Sequence, residues 1–174
     1  MDIPEIQIIE VGLNDLRSLR EIAKRTFYDS FAGMNSAENM QLYADEYLTD
    51  EKLETELLNP DSKFFFSKLE DLPVGYFKIN RGGAQTVLPN EHAFEIERIY
   101  VEQAHKGNGI GKMFISKAIE IASASGANYL WLGVWEHNQP AIRFYEKNGF
   151  KRYNRHIFKL GKDEQTDLLM KRIL

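Results

Sequence analysis

Lys106-Gly107-Asn108-Gly109-Ile110-Gly111-Lys112 sets three glycines at alternate positions between two lysines, directly after the strand-like run FEIERIYV and directly before an amphipathic helix. Glycine removes the side chains that hold a backbone away from a ligand. The amides at a helix start are unpaired and carry the positive end of its dipole. Strand, glycine turn and helix in that order build a cradle for a diphosphate. Lys106, Gly107, Asn108, Gly109, Ile110, Gly111 and Lys112 are therefore candidate cofactor-binding residues, with the amides from Gly107 to Gly111 carrying most of the binding. The structural alternative is a tight turn that binds nothing.

Two familiar phosphate loops do not fit. A triphosphate-binding loop needs GxxxxGK followed by serine or threonine, whereas this run is more compact and Lys112 precedes Met113. A dinucleotide fold carries its glycine loop after the first strand of the unit, and here several strand-like runs come earlier.

The elements that must position this loop can be read from periodicity. Ile6–Val11 reads as a strand, and Leu16, Leu19, Ile22, Ala23 and Phe27 recur at helical spacing. A second helical region is expected from Ser36 to Leu58, ending at the Asn59-Pro60-Asp61 turn. Lys63–Leu69 and Val74–Asn80 read as a hairpin, and residues 82–91 as a loop. Phe94–Val101, Ile110–Ser125 and Tyr129–Trp135 give strand, crossover helix and strand, the order of a parallel pair. A short helix after Asn138 and two strand-like runs, Phe150–Leu160 and Asp167–Ile173, complete an α/β chain.

With 174 residues and 43% hydrophobic content, one compact domain over residues 1–174 is expected. The absence of cysteine removes disulfides, a thiol nucleophile and thiolate metal sites, and the four histidines have no paired ligand spacing, so no metal is expected. A formal charge of −4 argues against a large nucleic-acid footprint and mildly favours cationic small molecules. No basic segment followed by a long apolar run opens the chain, and no stretch approaches the roughly 20 apolar residues that cross a bilayer, so no membrane partner and a cytoplasmic location are expected.

IERIYV, then QAHKGNGIGK, then LWLGVWEHNQPAIRFYEKNGF resembles the GNAT superfamily of N-acetyltransferases, most closely from about Glu95 to Phe158. Within it, the first helices, the Tyr-Phe hairpin strand and the HKGNGIGK loop are similar to bacterial PaiA-type spermidine/spermine acetyltransferases. The resemblance implies a single-domain acyl-CoA N-acyltransferase fold, a mixed central sheet flanked by helices, with acetyl-CoA as co-substrate and no acyl-enzyme. The loop departs from the family pattern, which begins with glutamine or arginine where this chain has Lys106. A lysine attracts phosphate but lacks the planar fork of arginine.

By the same resemblance, Ile99, Tyr100 and Val101 lie along pantetheine with backbone groups pairing to its amides, and amide density near Val101 stabilises the oxyanion. Asn138 hydrogen-bonds the cofactor, Ala141 permits close approach, Phe144 packs near the thioester arm and Lys147 pairs with a phosphate. Asn138 and Pro140 equally suit a plain helix start. Tyr145 is implied to be the acid that protonates the departing thiolate, or else a core aromatic.

A lysine-like amine is mostly protonated at neutral pH, so its attack needs a deprotonation route, and Glu97 is the leading candidate, either as base or as a group that holds the ammonium. Strand alternation places Glu95, Glu97, Ile99 and Val101 on one face, with Phe94, Ile96, Arg98 and Tyr100 on the other, unless a bulge changes the register. Tyr28, Phe31, Glu38, Asp45, Glu46 and Tyr47 are candidates for the acceptor pocket, and spermidine or spermine the favoured acceptors. A protein, peptide or aminoglycoside amine, or a non-catalytic acyl-CoA-binding regulator, remains as alternative. The C-terminal strands either support a homodimer or complete the monomer core.

Overall fold

The computed structural model describes residues 5–87 and 89–174. Of the expected loop at 82–91, position 88 lies outside the described residues. Seven strands form one sheet: β1 (Ile6–Glu10), β2 (Ser62–Leu69), β3 (Leu72–Arg81), β4 (Ala93–Val101), β5 (Tyr129–Trp135), β6 (Lys151–Leu160) and β7 (Asp163–Ile173). Their order is β1-β2-β3-β4-β5-β7-β6, with β4 and β5 parallel and every other neighbour antiparallel. The helices are α1 (Leu16–Phe31), α2 (Ala37–Tyr47), α3 (Asp50–Leu58), α4 (Ile110–Ala124) and α5 (Gln139–Lys147).

The helical region expected from Ser36 to Leu58 is two helices. Ser36 Oγ caps α2 by accepting from the Asn39 amide at 3.1 Å, and Thr49 Oγ1 caps α3 by accepting from the Lys52 amide at 3.2 Å. A second cap in mid-run competes with the continuing helix and starts a new one.

Two cores lie on opposite faces of the sheet. Ile110, Phe114, Ile115, Ala118 and Ala122 of α4, with Ile142 and Tyr145 of α5, pack on Phe77, Ile79, Phe94, Ile96, Leu130 and Leu132. On the other face, Leu19, Ile22, Ala23 and Phe27 of α1, Met40 and Ala44 of α2 and Leu53 of α3 cover Phe64, Phe66 and Tyr76. These helices cover only the β2–β4 half of that face; Gly133 of β5 and most of β6 stay exposed. Lys151, Arg152, Arg155 and Lys159 stud the open β6 edge, a charge pattern that discourages edge-to-edge pairing. Among the described residues no helix is long and apolar enough to cross a membrane.

The decisive irregularity is in β4. Lys78 pairs with Arg98 but Ile79 pairs with Ile96, so Glu97 is an extra residue without a β3 partner. This bulge overturns simple alternation: Phe94, Ile96, Ile99 and Val101 pack on the α4 side, while Glu95, Arg98 and Tyr100 belong to the opposite face. β4 and β5 pair only over Ala93–Glu95 and Tyr129–Trp131, and share no ladder beyond it. A cleft opens there between two strand edges, with α4 and α5 on one side.

Candidate active site

The glycine run lies at the mouth of this cleft. Gly107 and Gly109 have φ of 82° and 83°, left-handed values that side chains resist, and a Cβ on either would meet nothing within 4 Å. Their glycine identity therefore answers to backbone shape and leaves open space above. Gly109 precedes α4 with no side-chain cap, and the first bond of that helix runs from the Met113 amide to the Gly109 carbonyl at 3.0 Å. Among the described residues no amide from Gly107 to Lys112 donates to a backbone carbonyl. Lys106, Asn108 and Lys112 are exposed around this nest, whereas the Ile110 side chain belongs to the core and offers the site only its amide.

Gly111 corrects the sequence reading. It lies inside α4, and a Cβ there would fall 2.9 Å from the Phe144 ring. Its missing side chain serves helix packing against α5 in place of ligand approach.

Along the cleft, the Glu102 amide bonds the Val74 carbonyl at 2.9 Å, and the Tyr100 carbonyl also points at β3, 2.8 Å from where a Gly75 Cβ would be. Backbone groups alternate in direction along a strand, so those of Ile99 and Val101 point into the cleft. Tyr100 is thus separated from the other two: its backbone is committed to β3, and its ring packs with Phe31 and Tyr76 on the far face.

Opposite, Asn138 caps α5, its Oδ1 accepting from the Ala141 amide at 3.3 Å, with Pro140 in the first turn. Ala141 and Phe144 are half-buried beside the cleft. Lys147 and Lys112 line a cavity of about 560 Å³ together with Lys151, Lys171 and Arg172. Tyr145 is 8% exposed, burial pushes its phenol well above the usual range, and its hydroxyl has no hydrogen-bond partner among the described residues.

Carboxylates and cations crowd the opposite face at the bulge. Arg98 makes a bidentate pair with Glu56 at 2.9 and 3.1 Å, and Lys78 Nζ is 3.3 Å from Glu56 and 2.5 Å from Glu97. Arg98 also lies 3.5 Å from Glu97, and the Asn80 amide donates to Glu97 at 2.7 Å. Burial alone would raise the Glu97 carboxyl, but the charges of Arg98 and Lys78, with hydrogen bonds from Lys78 and Asn80, hold it at about 2. Glu95 has a raised pKa because burial outweighs the Thr86 and Asn80 hydrogen bonds that it accepts.

The pocket residues expected from the sequence separate. Tyr28, Phe31 and Tyr47 pack at the margin of the α1–α3 core; Glu38 pairs with Lys162 at 2.9 Å, Asp45 accepts from Gln41, and Glu46 is exposed. Tyr43, absent from the sequence reading, stacks on Phe27 at 4.4 Å, and burial raises its hydroxyl to about 12, with Arg98 opposing. Its i, i+4 spacing with Tyr47 was the available signal.

Residues 16–150 match the model of the acetyltransferase (GNAT) family. The chain belongs to the GNAT family. It is 37% identical over 169 residues to an uncharacterised N-acetyltransferase in the pepI 3′ region of Lactobacillus delbrueckii subsp. lactis, covering 97% of this chain and 98% of that one. It is 27% identical over 150 residues to the spermidine N(1)-acetyltransferase of Thermoplasma acidophilum, covering 84% and 88%. The fold is similar to the PaiA N-acetyltransferase of Thermoplasma acidophilum in complex with coenzyme A, with a TM-score of 0.81 and 24% identity over 98% of this chain and 99% of that one.

As a GNAT enzyme the protein is an acetyl-CoA-dependent N-acetyltransferase. The GNAT cleft has what that chemistry asks of a chain: free amides for a diphosphate, an open strand edge for an extended amide-bearing arm, and a protonated phenol on α5.

Proposed function

We propose that the acceptor is a small polyamine such as spermidine or spermine, acetylated on a primary amine by direct transfer. The observation that carries this reading is the excess of carboxylate over cation on the far side of the cleft: Glu56 and Glu97 meet Lys78, Arg98 and, at 3.8 Å from Glu56, Lys52, whereas Glu95 and Asp167, whose Oδ2 lies 3.2 Å from where a Gly133 Cβ would be, have no cation within ion-pair distance among the described residues. The paired rings of Tyr43 and Tyr47, within electrostatic reach of Glu97 and Arg98, suit a flexible polycation. The kinship with a spermidine N(1)-acetyltransferase supports the same class.

In this reading the amides of Gly107–Lys112, aided by Lys106 and Lys112, hold the pyrophosphate, and Ile99 and Val101 pair with pantetheine. Asn138, Ala141 and Phe144 line the other wall, and Lys147 meets a cofactor phosphate. The neutral amine attacks the acetyl carbonyl, a β4 amide near Val101 receives the oxyanion, and Tyr145 protonates the leaving thiolate.

Of its two roles, base or holder of the ammonium, Glu97 suits the second. Moving a proton from an ammonium near 10.4 to a carboxylate near 2 costs about 11 kcal/mol. The carboxylate stays charged on the acceptor side of the cleft.

The test measures CoA thiol release from acetyl-CoA with spermidine, spermine, a lysine peptide and an aminoglycoside in parallel, with the amide confirmed by mass. Release dependent on spermidine or spermine is expected. Preference for the peptide or aminoglycoside would replace the acceptor and leave the GNAT activity standing. Acetyl-CoA binding without turnover would support a regulator.

A further inference from the structure

The amine that attacks the thioester must first lose a proton, and both β4 carboxylates are already committed. Glu97 is held by Lys78, Arg98 and Asn80. Glu95 accepts from the Thr86 amide at 2.9 Å, from the Thr86 hydroxyl and from Asn80 at 3.2 Å. A third carboxylate reaches the same face from another strand. Leu168 and Met170 of β7 pack in the α4 core, so Asp167, one residue before Leu168, projects to the opposite side.

Asp167 lies over Gly133, its Oδ2 3.2 Å from where a Gly133 Cβ would be. Counting along the parallel pair from Glu95 beside Trp131, Gly133 is level with the Glu97 bulge, where the β4–β5 cleft begins. A Cβ at 133 would press on the Asp167 carboxylate, and Gly133 is exposed. Among the described residues the Asp167 carboxylate has neither a hydrogen bond nor an ion pair. Ser67 Oγ is the side-chain polar atom sealed without a partner there, so the Asp167 oxygens open onto accessible space. We propose that Asp167 is the proton acceptor for the attacking amine, a catalytic residue supplied by β7 across Gly133.

The inference rests on the amine-acetylating activity and on no particular amine. The Asp167 carboxylate takes one proton from R–NH3⁺, and the freed nitrogen pair forms the C–N bond to the acetyl carbon. Collapse of the adduct breaks the C–S bond, the thiolate receives a proton from Tyr145, the second amine proton returns to that phenolate, and Asp167 releases its proton to water. Burial raises the Asp167 carboxyl to about 6, which places it nearer the ammonium than Glu97 by about four decades in proton affinity. The titratable and charged groups on the flanking strands are Tyr129 of β5 and Lys151, Arg152, Tyr153, Arg155, His156 and Lys159 of β6, with His156 directly opposite Asp167 in the ladder and the Glu136–His137 pair in the turn after β5. Lys171 on β7 itself lies over the rings of Tyr129 and Tyr153 at 5.3 and 5.0 Å.

The experiment compares kcat/KM against pH for wild type and Asp167→Asn with the best acceptor from the amine panel. Wild type should rise to a plateau through a limb near pH 6. Asp167→Asn should be about 10²-fold slower at pH 7 and gain tenfold per pH unit as neutral amine accumulates, so that the gap closes towards the pKa of the amine. Asp167→Glu keeps the carboxylate but displaces it by one methylene, so it should keep the acidic limb with a lowered plateau; it carries the test should the asparagine variant not fold, and loss of that limb would overturn the proposal. A loss that stays constant from pH 7 upward would make Asp167 an anchor and overturn the proposal, as would an unchanged rate. Failure of the wild type with every amine would overturn the activity beneath it as well.

Discussion

Glu97→Gln should destabilise the protein by about 3 kcal/mol at neutral pH, because the carboxyl is held at about 2 against its ordinary 4.5 and each pK unit is worth about 1.4 kcal/mol. Glu97 is only 19% exposed, so solvent screening trims little from this figure. The lost partner also leaves Lys78, itself 5% exposed, with Glu56 alone, and removing one member of a buried ion pair costs about 3–5 kcal/mol. A depressed carboxyl stabilises the fold fully above its unfolded value and loses that contribution as pH falls through its folded value. The difference between wild type and variant should therefore be about 3 kcal/mol at pH 7, about 2 kcal/mol near pH 3.5, and close to nothing near pH 2. Urea unfolding at several pH values measures it. A difference below about 1 kcal/mol at pH 7, or one that does not shrink on acidification, would refute the assignment of Glu97 to a buried ionic network.

Gly109→Ala should cost about 1–2 kcal/mol from its left-handed backbone and weaken acetyl-CoA binding, since the methyl enters the open nest, as isothermal titration would show. Gly111→Ala should instead lose about 1–3 kcal/mol of stability by driving a methyl against Phe144, with a smaller effect on affinity. Tyr145→Phe should lower kcat about 10²-fold while leaving acetyl-CoA affinity near wild type, and intact turnover would remove its acid role. Because burial keeps that phenol protonated, wild-type kcat should show no loss attributable to it up to pH 10. Asn138→Ala should cost about 1 kcal/mol through the lost α5 cap, read by thermal unfolding.

The glycine turn and the helices around it were legible in the chain because their signals are local. Glycines at 107 and 109, the apolar period of α4, and Asn138 ahead of Pro140 each act on neighbours within a turn or two, whatever the rest of the fold does. The order of strand, helix and strand likewise set the parallel β4–β5 pair.

What the tertiary structure alone decided is the amine side. Period-two alternation put Glu97 with Ile99 and Val101; the bulge against Lys78 and Ile79 moved it, and a bulge depends on the strand opposite. Glu56 and Arg98 meet across 42 residues, and only their burial together with Lys78 turns Glu97 into a fixed ion. Asp167 read as the first residue of a strand, yet β7 starts at Asp163 and sets that carboxylate over Gly133. Local propensity specifies elements, whereas register, burial and charge pairing arise only once distant strands lie side by side, and those three decide which carboxylate is free to take a proton.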